Sequence, residues 1–226
     1  MTNNTHDLID LTRMVVYDIT AKMFKEMPCW PGERHRFEHS YAKSFSDGDT
    51  VNVSRISSSM HTGTHIDAPY HKNDTGKKLE EIPIERFIGN AYVIDLMHLK
   101  YKITKKDLIE INIPRDSIYL LKTSNSKYLT KQDFHEEYIY LVKDAAEYLV
   151  ECGALGVCVD YLSIDAKDVS EPHAHNILFE NDVMLYEAVD LSEVRAGHYY
   201  FIGLPLRLLD AEGALVRAVL IGEKNE

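Results

Sequence analysis

Cysteine is scarce in this chain. The 226 residues hold three, Cys29, Cys152 and Cys158, an odd number with no C-x-x-C pair. That excludes a disulfide framework and fits free thiols in a reducing cytosol. Long apolar runs are missing too, and none approaches the roughly 18 residues needed to span a bilayer. The opening MTNNTHDLIDLTRM lacks the basic-then-apolar layout of a signal peptide. Positive charge is short: 25 Lys and Arg face 36 Asp and Glu, a net −11. Phosphate backbones are bound by clustered Lys and Arg, so nucleic acid is not an expected partner. No repeat, low-complexity tract or Pro/Gly/Ser-rich linker divides the chain. The expectation is one cytoplasmic domain over 1–226, off the membrane and acting on a small molecule.

What is present is a globular composition, 45% apolar and 27% charged, at a length that buries about 70% of the unfolded surface. β-Branched and alternating stretches predict strands over 14–20, 50–60, 92–96, 118–122, 183–189, 199–204 and 214–221. The run LGVCV (155–159) reads as a strand covered on both faces. A helix is predicted over 131–152. Thr130 would cap it with Asp133 three residues on, and Phe134, Tyr138, Leu141, Val142, Ala145 and Leu149 would form its buried face. Gly153 would stop it. Strands outnumber helices, which predicts a layered α/β or α+β domain.

Eleven histidines are many for this length, and their placement is uneven. HTGTHIDAPYH (61–71) carries three of them and an Asp. Thr62, Gly63, Thr64 and Pro69 oppose a helix. In an extended chain 61, 65, 67 and 71 share a face, but a straight strand would hold 61 and 65 about 13 Å apart. A bend at Gly63, which tolerates positive φ, would bring them onto one ion. Imidazole and carboxylate suit Zn, Mn or Fe better than Ca or Mg. Downstream stand His173, His175 and Glu187, the last a carboxylate inside an apolar strand, costly unless paired or metal-bound.

The eleven-residue segment resembles the H-x-G-T-H-x-D-x-P-x-H signature of the cyclase-type metal-dependent hydrolases, a family that includes bacterial kynurenine formamidases. The Trp30-Pro31-Gly32 loop, HNILFENDVMLYEAV (175–189) and LPLRLLDAEGALVRAVLI (204–221) are similar as well. The resemblance implies a β/β/α layered domain of the swivelling cyclase-like type, in dimers or tetramers. It implies metal binding by His61, His65, Asp67, His175 and Glu187, with Asp67 and Glu187 as bridging carboxylates. It implies an acid/base role for His71 and a substrate-lining role for Trp30. The implied cofactor is one or two divalent ions, Zn2+ first and Mn2+ second. The implied reaction is cleavage of a small aryl formamide, N-formyl-L-kynurenine to L-kynurenine and formate. A same-fold hydrolase of a cyclic amide or lactone, and a metal-binding protein without activity, are the alternatives. At VDYLSID (159–165), Tyr161-Leu162 departs from the formamidase pattern.

Overall fold

The computed structural model describes residues 13–170 and 173–223. The leader reading at the N-terminus, His6 and both ends of the expected domain lie outside them. The chain builds a mixed α/β fold around one large sheet.

Strand β1 (Met14–Asp18) leads to an antiparallel ribbon of β2 (Glu38–Lys43) and β3 (Val53–Ser57). The short β4 (His65–Asp67) follows, then β5 (Ile88–Asp95), β6 (Lys102–Ile103) and helix α1 (Lys105–Ile109). Next come β7 (Ile118–Lys122), β8 (Tyr140–Leu141), α2 (Lys143–Glu151) and β9 (Gly156–Val159). The chain continues through α3 (His173–Glu180), β10 (Met184–Glu187), β11 (Gly197–Pro205) and β12 (Gly213–Glu223).

The main sheet runs β1-β12-β11-β5-β7-β9-β10-β4, and β4 also pairs with β12. The strands from β12 round to β4 therefore close into a ring. Side-chain alternation sorts its two faces. Ile66, Val93, Leu120, Cys158, Tyr186, Phe201 and Leu220 fill the interior. Ile94, Tyr119, Leu121, Val157 and Leu185 point outward, under Ala145 and Leu149 of α2 and Ala174 and Leu178 of α3. His65 and Asp67 alternate with Ile66, so they face outward on the helix side. Glu187 pairs with His65 in register and faces the same way.

The predicted helix over 131–152 is corrected: only Lys143–Glu151 is helical. Upstream, distant partners take the backbone groups a helix would use. The Tyr161 hydroxyl accepts the His135 N–H, and the Asn125 amide takes both the N–H and the C=O of Ile139. The Leu141 N–H goes to the Ile164 carbonyl. Thr130 and Asp133 therefore cap nothing, whereas Gly153 does stand just beyond the helix end, at φ 80°. Helix α3 had no counterpart in the strand and helix reading.

Candidate metal centre

The signature bends where its composition allows. Gly63 sits at φ 61°, a conformation L side chains rarely adopt. Thr64 fixes the far side of the bend: its hydroxyl donates to the Ala188 carbonyl at 2.6 Å and accepts the Ala21 N–H at 2.8 Å. Beyond β4, Pro69 opens a single 3-10 turn (Pro69–His71) that swings His71 back over His61, ring centroids 4.0 Å apart. Strand β10 delivers Glu187, and the first turn of α3 delivers His175.

Six of the seven residues given a role by the family resemblance meet here. His61 Nδ1 lies 2.8 Å from Asp67 Oδ1. His65 Nε2 is 3.3 Å from Asp67 Oδ1 and 3.6 Å from Glu187 Oε2. His175 Nε2 is 3.5 Å from both Asp67 Oδ2 and Glu187 Oε1. His71 comes within 6.1 Å of His175 by ring centroids. His65, Asp67, His175 and Glu187 are all buried. Trp30 is 36% exposed and edge-on to Phe134, from which a group of rings continues through Tyr161 to Tyr138. Its loop is a turn closed by the Glu33 N–H on the Trp30 carbonyl, with Pro31 and Gly32 central and Gly32 at φ 86°. His173 lies at the start of the same helix, α3, as His175.

Burial disfavours the charged form of His65, but the carboxylates of Asp67 and Glu187 outweigh it and push the ring up to about 9. His175 follows the same course, burial opposed by Asp165 and Asp67, also to about 9. Burial raises Glu187, with the neighbouring Asp67 charge adding to it, to about 7. Asp67 is held well below the usual carboxylate range, since His65 and the other imidazoles overcome its burial. Burial, with His61 beside it, pushes His71 down to about 3, against the pull of Asp67.

The donor set fits a divalent ion. Among the described residues, the buried side-chain polar atoms left without a hydrogen bond are His61 Nε2, His65 Nε2 and Asp67 Oδ2, all in this one cluster. Orphaned buried groups are rare in folded proteins and ask for a partner. Ligand atoms of His65, Asp67 and Glu187 fall within 4.8 Å of one another, as do those of His61, Asp67 and His71, so Asp67 belongs to both groups. The His65 Nδ1–H donates to the Gly63 carbonyl at 2.9 Å, which leaves Nε2 as the ring nitrogen facing the acids.

Three neighbours escaped the sequence reading. Glu212 Oε1 lies 3.4 Å from His61 Nε2. The Ile164 N–H donates to Glu187 Oε1 at 2.8 Å, and Asp165 sits 2.6 Å from His175 Nδ1. Glu212 had a faint signal, an acid just before the glycine that begins β12. The other two had none, because their partners are remote in sequence. Arg217, on β12, is paired with Asp18.

The cyclase family model matches residues 17–166. Kynurenine formamidase of Bacillus cereus is 36% identical over 203 residues, covering 90% of this chain and 95% of its own. A solved structure described as a potential metal-dependent hydrolase with cyclase activity superposes at TM-score 0.81 and 32% identity, covering 94% of this chain and 100% of that one. Isatin hydrolase A of Labrenzia aggregata has the same fold, at TM-score 0.83 and 21% identity over 96% of each chain. With that span of its sequence matched and such a relative alongside nearly all of it, the chain belongs to the cyclase family.

Proposed function

We propose that this protein is a metal-dependent amidohydrolase that cleaves a small aryl formamide, N-formyl-L-kynurenine above all, to L-kynurenine and formate. One observation carries the reading. Two buried carboxylates, Asp67 and Glu187, face bare imidazole nitrogens drawn from both halves of a chain whose 36%-identical relatives are kynurenine formamidases. His61, His65, Asp67, His175 and Glu187 would hold one or two divalent ions, zinc first and manganese second, as suits imidazole and carboxylate donors. Such an ion acidifies water to a pKa of about 7 and polarises a carbonyl.

The chain's own groups do the rest. His71 is neutral at working pH, so a ring nitrogen can take the proton that the attacking water sheds as it adds to the formyl carbon. The same nitrogen returns that proton to the departing aniline nitrogen as the C–N bond breaks. The amide and one water thus become an amine and formate. Burial of the cluster keeps bulk water from competing for the acids. Trp30, partly exposed in its turn, offers a face to the substrate's ring.

We further place the protein in the cytoplasm as a single domain over 1–226, working as a homodimer or homotetramer. The free state of the three thiols supports the compartment. The ribbon of β2 and β3 supports self-association. Every residue of both strands is exposed, with Tyr41, Val53 and Ile56 among them, and a lone two-stranded ribbon is marginal in water.

Purified protein assayed against N-formylkynurenine, isatin and a dienelactone tests the reading. Turnover of the first, abolished by a chelator and restored by zinc or manganese, is expected. Turnover of isatin alone would move the substrate to a cyclic amide, and stoichiometric metal with no turnover of any would leave only a binding protein.

A further inference from the structure

The segment 159–165 has no part in the reaction above, yet the carboxylates at its two ends, Asp160 and Asp165, are buried. At its start, the Asp160 carboxylate accepts the N–H and hydroxyl of Thr123 at 2.9 and 2.7 Å and those of Ser126 at 3.2 and 2.9 Å. At its end, the Ile164 N–H holds Glu187 Oε1 at 2.8 Å. The Asp165 carboxylate accepts the Ala174 N–H at 2.9 Å and the His175 N–H at 3.2 Å, and its Oδ2 meets His175 Nδ1 at 2.6 Å. The Tyr138 hydroxyl donates to the Asp165 carbonyl, tying the aromatic group to the same point.

We propose that 160–165 is the mount for the distal half of the metal centre, and that Asp165 is a positioning residue holding His175 with its hydrogen on Nδ1 and Nε2 bare toward the ion. The proposal rests on the reading that His175 and Glu187 are ligands.

The chemistry is restrictive. An ionised carboxylate only accepts, so the nitrogen facing Asp165 must carry a hydrogen. A neutral ring carries one, so Nε2 then offers its lone pair. That atom lies 3.5 Å from both Asp67 and Glu187, between the two acids. His65 is set the same way by a neutral carbonyl, that of Gly63. An anion at Nδ1 raises the donor strength of the ring further. Asp165 thus does for His175 what backbone does for His65, with a full charge added.

A rival role is built into the same contacts, because Asp165 also caps the first turn of α3. The two roles separate by substitution. Asn caps a helix about as well as Asp, so Asp165→Asn keeps an acceptor for the Ala174 N–H while removing the charge behind His175. Asp165→Ala removes both.

The test uses the full chain. Zinc affinity is measured by competition with a chromophoric chelator, stability by thermal unfolding of chelator-treated protein, and the His175 ring N–H by proton NMR of the zinc-loaded form. Asp165→Asn is expected to unfold within a few degrees of the parent, to bind zinc about 10–100-fold more weakly, and to move or lose the low-field ring N–H signal. Asp165→Ala should show the same weakening together with a clear fall in unfolding temperature. Unchanged zinc affinity in Asp165→Asn overturns the proposal, whether or not stability falls, and leaves Asp165 a helix cap. A parent chain that binds no zinc or manganese would instead remove the metal-centre reading itself, a separate outcome.

Discussion

Glu187 and His65 are direct partners across two antiparallel strands, and Glu187 Oε2 stands 3.6 Å from His65 Nε2 on the helix side of the ring. A hundred and more residues apart in sequence, they owe their meeting to β-pairing. Register alone brings one acid from the distal half against the signature.

Asp67 touches three imidazoles and belongs to both ligand groups. Asp67→Ala should therefore empty the site, with turnover falling by more than the roughly 10–100-fold typical of an outer partner. Metal analysis of the purified variant checks this. A full complement of metal would overturn the assignment of Asp67 as a ligand.

His71 is assigned to proton transfer and not to holding the ion. His71→Ala should keep its metal and lose about 10²–10⁴-fold in kcat. Loss of metal in this variant would make His71 a ligand, a role its closeness to His61 and Asp67 allows geometrically.

His65 and His175 are raised from 6.5 to about 9. A raised imidazole gives stability that is complete below pH 6.5 and lost as pH climbs through about 9, because the folded state holds the extra proton in that window. Bound to an ion, the same rings must be neutral, so affinity rises over the same range. Chelator-treated protein should thus lose unfolding temperature between pH 6.5 and 9, while the increment conferred by zinc grows. Thermal scans at four or five pH values test the opposed slopes, and parallel curves would refute the assignment.

Gly213 lies against the site from β12. A Cβ there would fall 2.7 Å from the Ile66 carbonyl oxygen and 3.4 Å from His61 Cε1. Backbone of a paired strand yields little, so Gly213→Ala should cost about 1–3 kcal/mol. It should also lower metal content by displacing His61. Urea unfolding and metal analysis measure both effects, and a variant as stable as the parent would count against the contact.

Much of the centre is legible in the sequence, for local reasons. HTGTHIDAPYH places four of the six clustered residues within eleven positions, and Gly63 marks the bend they need. Several strands of the ring are short apolar runs, and the pattern of 118–122 matches one to the residue. What escapes is what depends on distant partners. Residues 131–142 have helical spacing, yet Asn125, Tyr161 and Ile164 take the hydrogen bonds. The first turn of helix α3 is bonded from outside the helix, its Ala174 and His175 amides donating to Asp165. Asp165 itself looks like any acid in a loop.

The three-residue strand that carries His65 and Asp67 is also the seam of the ring, bonded to β10 on one edge and β12 on the other. Its amides can reach solvent only when the whole circuit parts, so they should exchange with deuterium as slowly as any in the molecule. The residues that would hold the ion are thus fastened by strand pairing on both edges, which leaves the surrounding loops free to drift toward new substrates without loosening that hold.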